Sequence, residues 1–311
     1  MLNYSEKELN IILNKVLNKR IIKITPVGNH HLKRHLVYKV DILNEQSLIF
    51  KLYYKKNKRD RELNSLKLLE NSTVKLPRVV SYGTLENEDE WIICEFIEGE
   101  VFDRIKDKIP YDQQLKLFYQ MGTELGKIHS YKTFDFFGDW NSPNKNLKDY
   151  SKYLVENMEQ CFEEILKQKL PDENLLLQAI QLIRHSYNDL DKHILPTLIH
   201  NDFDGRNILV KQVNGQYDIS AIIDFEMSMP GNIKNDLVAL YYRYFLDNKD
   251  FERNFIKAYS SYLPIEEAFY KELNIELLKF LVGNCSWAYW QAPDYYKDNI
   301  EFLRRLLNKR F

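Results

Sequence analysis

The first hundred residues combine short apolar, β-branched runs that are typical of strands with two stretches of helical periodicity. Ser5-Glu6-Lys7-Glu8 has the pattern of a capping box and predicts a helix that continues to about Asn18. Apolar positions along residues 59–70 predict a second helix. Five runs are predicted as strands, near residues 20–27, 36–43, 47–54, 78–83 and 90–97. This part of the chain is therefore predicted to be a small β-rich unit.

Beyond the first hundred residues, apolar positions recur mainly with the period of a helix. One predicted helix covers residues 113–129, and we interpret His129 at its end as a packed or capping histidine. Two helical stretches are predicted within residues 148–190, separated at Pro171. Residues from about 233 to 309 are predicted to be helical again. The second part of the chain is therefore predicted to be mostly helical.

A hairpin is predicted between these helical stretches. The apolar run that leads into His200 is predicted to be a buried strand, and two further runs, at residues 208–213 and 217–223, are predicted as strands. Asn214-Gly215 separates the last two runs, and this dipeptide is a strong signal of a two-residue turn. Because the strands of a hairpin lie side by side, Asn207 and Asp224 at its open end are predicted to be close enough to share one metal ion.

Polar residues next to these strands have the chemistry needed to hold Mg²⁺ on a nucleoside triphosphate. Mg²⁺ prefers oxygen ligands, and one or two protein carboxylates suffice because phosphates and water fill the other positions. Asp224 and Asn207 are the candidate ligands, and Asp202 is the candidate acceptor of a hydrogen bond from an attacking hydroxyl. His200 is expected to support the loop by hydrogen bonding to the backbone. The set indicates phosphoryl transfer, in which positioning and charge neutralisation supply most of the catalysis.

The pattern His-x-Asp-x-x-x-x-Asn at residues 200–207, followed by Ile-Asp-Phe, resembles the catalytic and metal-binding loops of the protein-kinase-like superfamily. The closer resemblance is to the aminoglycoside phosphotransferase and choline kinase branch, since Asn201 and Glu226 replace the Arg and Gly that are typical of protein kinases. Asp236, twelve residues after the metal-binding Asp, resembles an aspartate that braces the catalytic loop from a following helix. Gly231-Asn232 replaces the Gly-Asp of many members, which we interpret as a loop variation.

The resemblance implies further parts in the first hundred residues. A strand lysine should bind the α and β phosphates and be held by a helix glutamate, and the candidates are Lys51 and Glu62. Backbone groups near Glu95 and Ile97 should recognise the adenine at the hinge. The chain has no Gly-x-Gly-x-x-Gly; residues 28–35 occupy the place of that phosphate-covering loop.

The fold class implied is α+β and bilobal, similar to that of protein kinases. Residues 1–98 would form an N-terminal nucleotide-binding lobe, a small antiparallel β-sheet with one helix packed on it. Residues 99–311 would form a larger, mostly helical C-terminal lobe for catalysis and acceptor binding. The length of 311 residues agrees with two lobes, because it exceeds what one compact core usually serves.

The composition gives no indication of a nucleic-acid or membrane partner. The 44 basic and 45 acidic residues nearly cancel, and the apolar runs are too short to span a membrane. The N-terminal residues lack the pattern of a signal peptide, and three widely separated cysteines are interpreted as reduced, so a cytoplasmic location is expected. We expect a monomer or a weak homodimer.

The resulting hypothesis is an O-phosphotransferase that uses Mg²⁺ and moves the γ-phosphate of ATP or GTP to a hydroxyl of a small molecule. The resemblance makes an aminoglycoside-type antibiotic the first candidate acceptor. Choline-like, sugar, amino-alcohol and macrolide acceptors stay open. A second hypothesis is a catalytically silent nucleotide-binding regulator, but such a protein would be expected to lack one of Lys51, Asp202, Asn207 or Asp224.

The acceptor site is the part that the sequence defines least. Candidates by position are Asp204, Glu226, Trp287 and Trp290, because acidic groups and aromatic rings suit an amine-bearing acceptor. The alternative for the aromatic residues is that they pack a core, as aromatics at helical spacing usually do.

Overall fold

The computed structural model describes residues 4–28, 30, 35–141, 150–187 and 195–308. Parts of three predicted segments lie outside these ranges: residues 29 and 31–34 of the phosphate-covering loop, residues 148–149 and 188–190 of the predicted helical region 148–190, and residue 309 of the predicted helical region 233–309. Two compact units are present. One contains the residues up to Leu117 together with Gly205–Ser228, and the other contains Phe118–Asp204 and the residues from Met229 onward. Among the described helices, none is long and apolar enough to cross a membrane.

A five-stranded antiparallel sheet forms the centre of the first unit. Its strands in chain order are β1 (Ile21–Val27), β2 (His35–Ile42), β3 (Leu48–Tyr53), β4 (Val79–Thr84) and β5 (Glu90–Glu95). The order across the sheet is β1-β2-β3-β5-β4, so β3 is central and β4 is an edge strand. Accordingly, β3 is buried at nearly every residue, whereas β4 alternates between half-buried and exposed positions. The five predicted strands are confirmed.

Two helices accompany this sheet. Helix α1 (Glu6–Leu17) begins with the predicted capping box: the Glu8 amide donates to the Ser5 hydroxyl, and the Ser5 amide donates to the Glu8 carboxylate. It buries Leu9 and Leu13 among the apolar residues of β2, β3 and β5. Helix α2 (Lys58–Leu69) buries a stripe at helical spacing, which consists of Glu62, Leu63, Ser65, Leu66 and Leu69. The sheet therefore packs against α1 as well as the single helix that was predicted.

The predicted hairpin is also part of the first unit. Strands β8 (Ile208–Val213) and β9 (Gln216–Ile222) pair antiparallel. Asn214 and Gly215 between them have φ angles of 51° and 78°, the left-handed values that a tight type I′ turn requires. The short strand β6 (Glu100–Val101), which is followed by helix α3 (Phe102–Ile105), extends this sheet by pairing with β8. A strand of two residues shows no periodicity, so the sequence did not predict β6.

Helices make up most of the rest of the chain. The described helices are α4 (Tyr111–Tyr131), α5 (Tyr150–Lys167), α6 (Glu173–Ser186), α7 (Lys234–Leu240), α8 (Lys249–Tyr259), α9 (Glu267–Gln291) and α10 (Pro293–Leu307). In the second unit, α4 and α8 approach so closely that a Cβ atom on Gly122 would lie 2.2 Å from the Phe255 carbonyl oxygen. A π-helical turn, Tyr241–Phe245, follows α7. The predicted change from strands to helices is confirmed.

One strand of an antiparallel pair in the second unit leads directly into the segment that carries the predicted catalytic residue, Asp202. Strand β7 (Thr197–Ile199) pairs with β10 (Met229–Gly231), and His200 follows β7 directly. Asn232 follows β10, and its side-chain oxygen accepts a hydrogen bond from the Lys234 amide at the start of α7. The structure thus confirms the predicted α+β class. The predicted boundary between residues 98 and 99 stays a prediction, since the compact units group the hairpin with the five-stranded sheet.

Candidate active site

Lys51 lies in the middle of a cluster of carboxylates in the first unit. Its Nζ atom is 2.8 Å from Glu62 Oε2, 2.6 Å from Asp224 Oδ1 and 3.1 Å from Glu226 Oε2. Lys51 and Glu62 are both buried. Strand β3 supplies the lysine, α2 supplies Glu62, and the segment after β9 supplies the other two acids. The predicted contact between Lys51 and Glu62 is therefore present.

These carboxylates keep the buried lysine charged. Burial lowers the pKa of Lys51, but the charges of Asp224, Glu62 and Glu226 outweigh it and hold the pKa well above its usual value. Tyr53, two residues further along β3 and so on the same face of the strand, donates its hydroxyl hydrogen bond to Glu62. Glu62 is thus fixed by two donors. The result is a charged ammonium in a defined position, which is what binding a phosphate requires.

Asn207 and Asp224 lie together at the open end of the hairpin. Ile208 pairs with Ile222, and the Ile223 amide donates to the Asn207 carbonyl oxygen at 2.9 Å. Asn207 is buried, whereas the Asp224 side chain is 26% exposed. Asp224 has a φ of 67°, a left-handed conformation that Asp and Asn adopt more readily than most residues. One amide oxygen and one partly exposed carboxylate at the same strand end make a donor set that suits Mg²⁺.

Glu226 belongs to the short 3₁₀ turn Phe225–Met227 and completes the cluster. Its Oε2 atom lies 3.2 Å from Nδ1 of His35, the first residue of β2. Burial raises the pKa of Glu226, but Lys51 and His35 lower it more strongly, so the net pKa lies below the usual value and the group is ionised. Oxygens of Glu62, Asp224 and Glu226 lie within 4.8 Å of one another. In the structure the Lys51 ammonium contacts all three.

In the second unit, Asp236 on α7 holds the segment that begins with His200. Its carboxylate accepts hydrogen bonds from the His200 amide at 2.7 Å and the Asn201 amide at 2.5 Å. His129 Nε2 lies 2.9 Å from the same carboxylate, and His129 Nδ1 lies 2.8 Å from the Tyr259 hydroxyl. Asp236 and His129 are both buried, so His129 is a packed histidine as predicted. Asp236 therefore braces the backbone just before Asp202.

We expect Asp236→Asn to destabilise the protein by about 3 kcal/mol, because an amide cannot accept all three hydrogen bonds and leaves a buried donor unpaired. Urea unfolding followed by circular dichroism measures the effect. The control is Asp294→Asn, since the Asp294 side chain is 96% exposed. Equal unfolding midpoints for the two variants would contradict the bracing role.

Glu95 and Ile97, the residues predicted to lie near the base, are in the first unit where β5 ends. They line an open cavity of about 710 Å³, to which Lys75 and Ser220 also contribute. The Lys75 Nζ atom donates to the Ile219 carbonyl oxygen at 2.7 Å, which ties the segment after α2 to the hairpin. The adenine-binding role of the hinge stays a prediction.

The predicted catalytic and acceptor residues are distributed over both units. In the second unit, Asp202 is partly exposed and Asp204 is fully buried. Trp287 is half-exposed beside Tyr295, with ring centroids 5.6 Å apart. Trp290 is 68% exposed, and its indole N–H donates to Gln168 at 3.1 Å. The two tryptophans are therefore available at the surface and are not core residues. In the first unit, Glu226 already contacts Lys51 and His35, and the acceptor roles of all four candidates stay predictions.

Two residues of the lysine cluster were not predicted from the sequence. Tyr53 had a usable signal, because residues two apart in a strand point to the same face. His35 is the last residue of the segment 28–35 that was predicted to cover the phosphates, and no partner was predicted for it. Its contact with Glu226 joins distant parts of the chain, and no local pattern predicts such a contact.

A buried strand lysine held by a helix glutamate and an Asn–Asp pair at a hairpin end are features of the protein-kinase-like class of phosphotransferases. The family comparison agrees with this assignment. The model of the phosphotransferase enzyme family matches residues 29–273, so the chain belongs to that family.

Similar proteins with known structures confirm the fold. The ADP-bound aminoglycoside phosphotransferase APH(2'')-Ib is 22% identical, with a TM-score of 0.66 and coverage of 96% of this chain and 97% of that chain. The GDP complex of an aminoglycoside 2'-phosphotransferase-IIIa mutant is 16% identical, with a TM-score of 0.69 and coverage of 97% of both chains. At these identities the likeness establishes the protein-kinase-like fold and not the substrate.

Two curated relatives match the chain over part of their length. The KEOPS complex subunit Bud32 of Pyrococcus abyssi is 24% identical over 136 residues, which are 44% of this chain and 60% of that protein. Altered inheritance of mitochondria protein 9 of Clavispora lusitaniae is 23% identical. The match covers 68% of this chain and 48% of that protein. The chain thus spans between about half and three fifths of the length of these relatives.

Proposed function

We propose that this protein transfers the γ-phosphate of ATP or GTP to a hydroxyl of a small molecule, with an aminoglycoside-type antibiotic as the first candidate. The observation that carries the proposal is the charged Lys51, held by buried Glu62 beside the hairpin end that bears Asn207 and Asp224. Each of these groups has a task in phosphoryl transfer, and the phosphotransferase family supplies the reaction class.

Asn207 and Asp224 are proposed to hold Mg²⁺, which when bound neutralises charge on the phosphates. Lys51 binds the α and β phosphates, and Glu62 and Tyr53 keep it in place. The backbone near Glu95 and Ile97 recognises the base. Asp202 accepts the hydrogen bond of the acceptor hydroxyl and takes its proton as the oxygen attacks the γ-phosphorus, while the bond from that phosphorus to the bridging oxygen of the β-phosphate breaks and ADP or GDP leaves.

His200 and Asp236 keep the Asp202 segment in position, because Asp236 fixes two successive backbone amides before Asp202. Such positioning matters because most of the catalysis in phosphoryl transfer comes from the placement of groups. We further propose that the protein acts in the cytoplasm as a monomer or weak homodimer. Its three free cysteines support the location, since cytoplasmic thiols stay reduced.

The acceptor is proposed from chemistry. Aminoglycosides carry several amines and hydroxyls, which acidic groups and exposed rings such as those of Trp287 and Trp290 can bind. The structurally similar proteins described above are aminoglycoside phosphotransferases, which supports the same class of acceptor. Choline-like, sugar, amino-alcohol and macrolide acceptors use the same catalytic groups and belong in the same test.

The test is transfer of a labelled γ-phosphate from ATP or GTP to a panel of acceptors, with and without Mg²⁺. We expect label on one acceptor class, aminoglycosides first, and only with Mg²⁺ present. Susceptibility of a bacterial host that expresses the chain gives an independent readout for antibiotics. Nucleotide that is bound but never consumed with any acceptor would instead favour a catalytically silent regulator.

A further inference from the structure

One carboxylate oxygen in the lysine cluster is shared by two nitrogen atoms. Glu226 Oε2 lies 3.1 Å from Lys51 Nζ and 3.2 Å from His35 Nδ1. All three side chains are largely buried: the exposed fraction is 16% for Glu226, 7% for Lys51 and 23% for His35. Lys51 and His35 therefore form a pair of donors that converge on a single anionic oxygen.

The strand register explains why these donors converge. His35 pairs with Tyr53, and Val37 pairs with Lys51, across β2 and β3. Residues two apart in a strand share a face, and directly paired residues point to the same side of the sheet. His35 and Lys51 consequently lie on the same face, at the end of the sheet where β2 begins.

A phosphate oxygen would need the same two donors that Glu226 now uses. We propose that Lys51 and His35 form a two-donor clamp for a nucleotide phosphate, and that Glu226 competes with the nucleotide for this clamp. This inference deepens the proposed function and rests on it. It assigns a phosphate-binding role to His35 and an autoinhibitory contact to Glu226.

Glu226 is the carboxylate of the cluster that can move away from Lys51 when a phosphate binds. Glu62 is buried and bonded to both Lys51 and Tyr53, and Asp224 is needed at the hairpin end beside Asn207. Glu226 instead belongs to a short 3₁₀ turn and is more exposed than Glu62. The cluster also places three carboxylates around one ammonium, so the excess negative charge opposes an incoming phosphate until Glu226 moves away.

The test measures equilibrium binding of ATP, GTP and the two parent nucleosides to the full chain with Mg²⁺. We expect Glu226→Gln to tighten nucleotide binding by about fivefold or more, since removing a competitor releases its coupling free energy. We expect His35→Ala to weaken nucleotide binding by about tenfold, because the loss of one hydrogen bond to a charged group usually lowers affinity by about that factor. Nucleoside binding should change in neither variant, because a nucleoside has no phosphate.

Matched controls are Glu90→Gln and His185→Ala. Glu90 is similarly buried but pairs with Arg59, and the His185 ring contacts only the Gln181 carbonyl among the described residues. Thermal melts identify any variant that fails to fold, and His35→Gln then replaces His35→Ala. If the wild type binds neither nucleotide, the proposed function fails. If the wild type binds a nucleotide and Glu226→Gln binds that nucleotide equally well or more weakly, Glu226 does not compete with it. If the His35 variant binds the nucleotide as tightly as the wild type, His35 is not part of a phosphate clamp.

Discussion

Asp202→Ala should abolish detectable phosphate transfer while nucleotide binding stays at the wild-type level. The loss in kcat is expected to be about 10²–10⁴-fold, the usual contribution of a positioned general base. The physical reason is that nucleotide binding and proton acceptance are assigned to different residues. The contacts of Lys51 run to Glu62, Asp224 and Glu226, so the nucleotide-binding cluster keeps its charges when Asp202 is removed. Initial rates with the accepted substrate and a separate nucleotide-binding titration measure the two quantities.

Asp218→Asn is the matched control for this experiment. Asp218 is a partly exposed carboxylate on β9 that pairs with Lys116 at 2.9 Å, away from the lysine cluster. It should retain wild-type turnover. Turnover by Asp202→Ala within a few-fold of the control would show that the hydroxyl does not depend on this carboxylate, and the catalytic assignment would be wrong.

Asp224→Asn should remove the effect of Mg²⁺ on nucleotide affinity and lower kcat by on the order of 10³-fold, because charge stabilisation at the phosphates is lost. Asparagine is the informative replacement. Asp224 has a φ of 67°, and asparagine tolerates this conformation, whereas alanine would add about 1 kcal/mol of backbone strain. The defect can therefore be attributed to the lost charge and not to a distorted turn.

Calorimetric titration of nucleotide at increasing Mg²⁺ gives the measurement. Asp60→Asn is the control, since its side chain is 30% exposed, close to the 26% of Asp224, and pairs with Arg59. The control should show the wild-type dependence on Mg²⁺. An unchanged Mg²⁺ dependence in Asp224→Asn would exclude this residue as a metal ligand.

The parts of the site that the sequence predicted are those with a local signal. The Asn214-Gly215 turn fixes the register of the hairpin, and the register brings Asn207 and Asp224 to the same end. Local patterns predicted the strand around Lys51 and the helix that carries Glu62, and the resemblance to kinases selected these two residues within them. The resemblance to kinases supplied the tasks of these residues.

The parts that were missed depend on contacts between distant segments. His129 and Asp236 are 107 positions apart, so the sequence indicated a packed histidine but not its partner. The contact between His35 and Glu226 depends on the pairing of β2 with β3 and on the conformation after Asp224. Such contacts follow from the tertiary structure, because neither residue lies in a pattern that identifies the other. The acceptor site is undefined for the same reason.

We propose that Asn207 and Asp224, and not Asp202, hold the divalent ion with the nucleotide. Mn²⁺ in place of Mg²⁺ tests it directly, since its effect on water-proton relaxation reports formation of the protein–nucleotide–metal complex. We predict strong enhancement with nucleotide for the wild type and for Asp202→Ala, and its loss in both Asn207→Ala and Asp224→Asn. Equal enhancement in all four proteins, or its loss in Asp202→Ala alone, would show that Asn207 and Asp224 are not the metal ligands.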